Sequence, residues 1–173
     1  MGDEWFRSTE GHDGAREEFE RRLGRSRKTN RSQYLRIQAI TLADAGNIDA
    51  ALELLRRAVA EYPDSFDVPH AFELIGDYER AAGRLADAEA AYRHVLAHCP
   101  DLNKTSGMVH ISLAEVELAQ ERAVTDALKL LDEAVPHLHS ARRSSAGIWP
   151  WHGLPTSRAT SRLDDRLPVG SSS

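Results

Sequence analysis

The sequence predicts an all-α fold, an α-solenoid of about three helical hairpins headed by an N-terminal capping helix, and three observations predict it. Through the middle of the chain apolar residues recur at helical spacing, with few β-branched runs and none of the strict alternation that marks strands. A pattern of glycine, alanine, bulky residue and proline is then written twice, the second copy 37 residues after the first (Gly46 to Gly83). A length of 173 residues with 41% apolar and 28% charged side chains suits one domain of ordinary size.

The elements follow in order. Residues 1–31 form an N-terminal segment in which Trp5 and Phe6 precede an amphipathic stretch, Asp13 to Arg27, with Phe19 and Leu23 inward. Acids (Asp13, Glu17, Glu18, Glu20) lead and bases (Arg21, Arg22, Arg25, Arg27) follow, the order a helix dipole favours. This segment is expected to cap the first hairpin. From Ser32 to Ala45, Leu35, Ala39, Leu42 and Ala43 fall on one helical stripe and Tyr34, Ile37 and Ile40 on its neighbour. Ala45-Gly46-Asn47 breaks the helix and Asp49 is placed to cap the next, which buries Ala51, Leu52, Leu55, Ala58, Val59 and Tyr62 before Pro63 stops it. The second copy aligns Gly83, Ala88, Tyr92, Val95 and Pro100 with Gly46, Ala51, Leu55, Ala58 and Pro63. A third, with eroded punctuation, sets Ala127, Leu131 and Ala134 against Ala88, Tyr92 and Val95, an offset of 39 residues. Helix, tight turn, helix at such a period is the mark of a solenoid, because one hairpin alone cannot bury its apolar face.

These residues carry a resemblance. Residues 69–102 hold Phe72, Ile75-Gly76, Gly83, Ala88, Tyr92 and Pro100, and residues 32–65 hold Leu35, Ala39, Gly46, Ala51, Ala58 and Pro63, so the chain resembles the tetratricopeptide repeat family. A third unit, 108–141, keeps Ala127 and Ala134 but has Arg122 at the turn-glycine position. The runs Trp5-Phe6-Arg7-Ser8 and Gln33-Tyr34-Leu35-Arg36-Ile37 resemble bacterial members of this class whose role is generally uncharacterised. The resemblance implies a concave surface, lined by the first helix of each repeat, that holds an extended peptide or a helix. Its positions are Gln33, Arg36, Ile40 and Asp44 in the first repeat and His70, Glu73, Asp77 and Arg80 in the second. The third supplies Val109, Ser112, Val116 and Gln120. Members that clamp a peptide carboxylate carry lysine and asparagine here, and Ile40 and Asp77 stand where the asparagines would be. A competing use is structural: Arg36, Glu73 and Asp77 pair across the groove.

Other chemistries are weakly represented. Net charge is -5, from 22 basic and 27 acidic side chains, which gives no general attraction to nucleic acid or an anionic membrane. The basic cluster Arg21, Arg22, Arg25, Arg27, Lys28 and Arg31 is read as a solvated helix end balanced by the preceding glutamates. No stretch approaches the roughly 20 apolar residues that cross a bilayer, no secretory pattern opens the chain, and cytoplasm is the expected compartment. Cys99 is the only cysteine, so no intrachain disulfide forms. It stands at a helix C-terminus, where the dipole opposes thiolate formation. His94 and His98, four apart, and His137 and His139 invite a metal site, yet three or four converging ligands are needed and HExxH is absent. They are read as surface histidines, His94 facing solvent. No catalytic, cofactor or metal residue is expected. The expected function is a non-catalytic scaffold or adaptor binding a protein or peptide. The competing readings are self-association as a homodimer through an uncapped C-terminal hairpin and, further back, a metal-dependent enzyme.

After Arg143 the composition changes. Residues 144–173 hold seven serines, three prolines and three glycines, which reads as a disordered tail. A repeat array that breaks off without a capping helix implies a truncated or frame-shifted version of a longer repeat protein. Trp149-Pro150-Trp151 is a candidate to fold back into the groove.

Overall fold

The computed structural model describes residues 4–10, 12–99, 105, 108–120 and 124–144, with side chains of the last helix described as far as Pro136. The tail from residue 145, its Trp149-Pro150-Trp151 run included, lies outside the described residues, as does Arg122. Among the described residues there are seven helices and no strand: α1 (Asp13–Arg25), α2 (Lys28–Asp44), α3 (Ile48–Glu61), α4 (Val68–Ala81), α5 (Leu85–His98), α6 (Val109–Ala119) and α7 (Val124–Ser144). They pack as adjacent hairpins, α2 on α3, α4 on α5 and α6 on α7, with α4 also on α3 and α6 also on α5.

The punctuation residues act as their chemistry requires. Gly46 and Gly83 take φ of 85° and 76°, the left-handed turn that lets α2 reverse into α3 and α4 into α5. Pro69 lies in the first turn of α4, where a missing N–H costs nothing. Gly76 serves close packing instead. A Cβ there would stand 2.7 Å from Cδ1 and 2.8 Å from Cζ of Tyr92, so only glycine lets the Tyr92 ring lie against the α4 backbone. Ala51, Ala58 and Ala88 are fully buried where helices cross, beside the bulky Leu55 and Tyr92. One core joins α2, α3 and α4 through Ala39, Leu42, Leu52, Leu55 and Ile75. A second joins α5 and α6 through Tyr92, Val95, Val109, Leu113 and Val116.

Helix boundaries differ from the sequence reading in three places. α2 starts at Lys28, four residues before Ser32, because Leu35 and Ala39 stabilise a helix that has nothing to stop it earlier. α1 ends at Arg25, closed by Ser26, whose Oγ donates to Leu23 O at 2.7 Å. Asp49 is not the cap of α3; Asn47 holds that position, and Asp49 sits in the first turn, its carboxylate accepting from Arg84 at 3.1 Å.

The N-terminal segment covers the first hairpin. Trp5 and Phe6 pack edge to face at 5.5 Å, and Tyr34 lies 5.0 Å and 4.9 Å from the two rings. Phe19 and Leu23 of α1 join Leu35 and Ala58 beneath them. The fixing contact is polar. Gln38, buried, accepts from Ser8 N at 3.0 Å and donates to Ser8 O at 2.6 Å, reading that backbone as a neighbouring strand would. Gln38 occupies the position filled by apolar Ile75 in the second repeat.

Successive hairpins are also joined by a recurring ion pair. Arg56 of α3 and Arg84, which opens α5, both donate to Glu79 of α4, a fully buried carboxylate. One repeat on, Arg93 of α5 donates to Glu117 of α6 at 2.6 Å, and Glu117 is again buried. Arg93 follows Arg56 by 37 residues and Glu117 follows Glu79 by 38, so the joint repeats with the fold.

Candidate functional site

The face shared by α2, α4 and α6 carries most of the side chains named from the sequence, and most of their charges are already matched. On α2, Gln33 and Asp44 are exposed and Ile40 is half-buried. Arg36 donates to Asp67 at 2.9 Å, both side chains largely shielded from water. Asp67 stands at the start of α4, so this bond ties the first hairpin to the second. His70 lies 3.9 Å from the buried Glu73 and 6.2 Å from the exposed ring of Phe66. Burial first, and then the Arg36 charge, lower its pKa, against the pull of Asp67, so the imidazole stays neutral at neutral pH.

The centre of the face is a hydrogen-bonded group. The Tyr92 hydroxyl passes through from the core and donates to Asp77 at 2.6 Å, and it also meets the Ser112 hydroxyl. Arg80 donates to Glu115 of α6 at 2.5 Å. Burial raises the Asp77 pKa, opposed by the Tyr92 hydrogen bond and the Arg80 charge. A carboxyl whose folded pKa is raised keeps its proton to higher pH than the unfolded chain does. Its contribution to stability therefore falls as pH climbs from the unfolded value, 3.8, through the raised one. Asp77→Asn retains the acceptor for Tyr92 and removes that titration. Denaturant midpoints of the variant are expected to lose a downward slope over this window, and an unchanged slope would place the titration elsewhere.

In the third repeat the sequence reading is corrected. Val116 is fully buried in the second core and Val109 nearly so; neither lines the face. Gln120 reaches back to Glu89 of α5 at 3.1 Å, and Ser112 is half-buried against Tyr92. The cause is a slip of one residue, two at Gln120. The 39-residue offset holds for the second helices, but the Glu79–Glu117 equivalence sets 38 for the first, the extra residue falling in the connection between α6 and α7. The corrected counterparts of His70, Glu73, Asp77 and Arg80 are Met108, Ile111, Glu115 and Leu118, of which Met108, Glu115 and Leu118 are exposed. Arg36 pairs with Asp67, Asp77 with Tyr92 and Arg80 with Glu115. Spacing within one helix did not reveal these partners, since each belongs to a neighbouring element.

The remaining candidates have structural surroundings. His94 is half-buried rather than solvent-facing, its ring stacked on Phe72 at 3.8 Å and His98 at 4.1 Å, and burial lowers its pKa. Among the described residues no group of three or more His, Cys, Asp or Glu side chains could hold a metal ion, and the side chains of His137 and His139 lie outside them. Cys99 caps the C-terminus of α5, half-buried against the second core. In the basic cluster, Arg21 and Arg22 both donate to Glu18, and Arg31 donates to Gly24 O at 2.7 Å, closing the α1 terminus. No helix among the described residues is long and apolar enough to cross a membrane. A shallow depression of about 300 Å³ lies over the N-terminal cap, between Trp5, Ser8, His12, Phe19 and Arg22, and shares no residue with the α2–α4–α6 face. No protein-family model, curated protein or solved structure matches the chain.

Proposed function

We propose that the chain is a tetratricopeptide-type solenoid acting as a non-catalytic scaffold in the cytoplasm, receiving a peptide or helix of a protein partner on the face lined by α2, α4 and α6. The observation that supports this reading is a difference between the two layers of helices. α4 approaches both α2 and α6, whereas among the described residues no two of the second helices α3, α5 and α7 come together to the same extent. A stack built this way bends toward its first helices and makes their shared face the inner one. On that face Ile40, Met108 and Leu118 offer apolar surface beside the ion pairs Arg36–Asp67 and Arg80–Glu115, whose charges are already satisfied. Recognition would rest on apolar anchoring bordered by the exposed acid Asp44.

The test is crosslinked capture from native cells with the intact protein and with an Ile40→Asp/Leu118→Asp variant. Recovery of the specific partner is expected to fall about tenfold while the melting temperature is kept. Equal recovery by the two proteins would refute the assignment. A second reading, homodimerisation through the last hairpin, draws on the exposed Val124, Leu128 and Val135 of α7. Light scattering separates the two, since only the second reading gives a concentration-dependent dimer.

A further inference from the structure

Among the described residues, the outer face of α7 is where the internal repetition leaves a docking surface open. In α3 the residues at 48, 52, 55 and 59 (Ile48, Leu52, Leu55, Val59) pack in the core that receives α4. Their equivalents in α5, Leu85, Tyr92 and Leu96, pack in the core that receives α6, and the fourth, Glu89, bonds to Gln120 at the end of α6. The same positions in α7 are Val124, Leu128, Leu131 and Val135, at steps of four, three and four residues that place them on one stripe. Here Val124, Leu128 and Val135 are 59%, 55% and 48% exposed.

A charge reversal accompanies that stripe. Arg56 and Arg93 each donate to a buried glutamate of the arriving helix, Glu79 and Glu117. The equivalent position in α7 is Asp132, exposed. A helix arriving with glutamate in the usual register would set two carboxylates together, whereas one carrying arginine or lysine would restore the joint with its polarity inverted. We propose that the α7 face is a docking site for an amphipathic helix of another polypeptide, bearing a basic residue where α4 and α6 bear Glu79 and Glu117.

Other occupants fit less well. A second copy arriving head to tail would have to present α2, which Trp5, Phe6 and α1 already cover. A copy docked stripe to stripe over 124–136 of α7 would oppose Asp126, Asp132 and Glu133 of each chain, with Lys129 the one base of that stretch to balance them. Within residues 145–173 the longest run free of proline and glycine is 156–167, whose apolar residues are Ala159, Leu163 and Leu167, against the five of α4 in the first core, Ala71, Phe72, Leu74, Ile75 and Tyr78. The site is separate from the α2–α4–α6 face and stands or falls apart from it.

The test uses two helix-stapled peptides of sequence 108–120, one unmodified and one with Glu117→Arg, titrated against the full chain. The Glu117→Arg peptide is expected to bind about tenfold tighter, the preference to invert on an Asp132→Arg chain, and Leu128→Asp to abolish both while leaving the circular dichroism spectrum unchanged. Equal affinities, no inversion, or no binding by either peptide would overturn the proposal. A photocrosslinking amino acid in place of Leu128, in the full chain without peptide, identifies the competitors. Adducts to residues 145–173 of the same chain, or between two copies, would also overturn it.

Discussion

Tyr92→Ala is expected to cost about 3–5 kcal/mol of folding stability, read as a fall in denaturant midpoint at constant m-value. The ring is fully buried and central to the second core, and its hydroxyl satisfies Asp77 on the opposite face. Tyr92→Phe separates those contributions: it keeps the ring, removes the bond to Asp77, and is expected to cost about 1–3 kcal/mol. The fit against Gly76 gives a further check. Gly76→Ala alone should destabilise by about 1–3 kcal/mol, because its Cβ meets the Tyr92 ring. In the Tyr92→Ala background the obstruction is gone and the same substitution should be neutral or favourable. Additive costs in that double-mutant cycle would show that the two residues do not touch.

Removing the arginines around Glu79 is expected to be worse than removing Glu79 itself. Glu79 is fully shielded, while Arg56 and Arg84 keep 56% and 39% of their side chains in water. Arg56→Ala/Arg84→Ala strands a carboxylate in the core without its counter-charges, a loss of about 3–5 kcal/mol. Glu79→Ala leaves two cations that water can solvate, and its cost is expected nearer 1–3 kcal/mol. Urea denaturation of the two variants decides the order, and the reverse order would mean that water reaches the carboxylate.

Much of the fold was legible because its cause is local. Gly46 and Gly83 mark turns only glycine makes easily, and Ala51, Ala58, Ala88, Leu55 and Tyr92 mark crossings by size. The capping role of Phe19 and Leu23 follows from periodicity alone. What was misread depends on partners distant in sequence. Nothing local marks Gln38, whose partner Ser8 lies 30 residues away. Arg36 and Arg80 look like groove charges until Asp67 and Glu115 arrive from neighbouring elements. The slip that put Val116 on the face came from carrying one helix's offset to its partner across a connection one residue longer. The signal that would have prevented it was present: glutamates at 79 and 117 preceded by arginines at 56 and 93.

That spacing makes the joint portable. Because donor and acceptor recur at nearly the period of the hairpin, a chain lengthened by one duplicated unit would bring its own fastening to the new seam. A unit excised in register would leave the flanking donor facing an acceptor of the same kind. Length in this architecture can change by whole modules without redesigning what holds neighbours together.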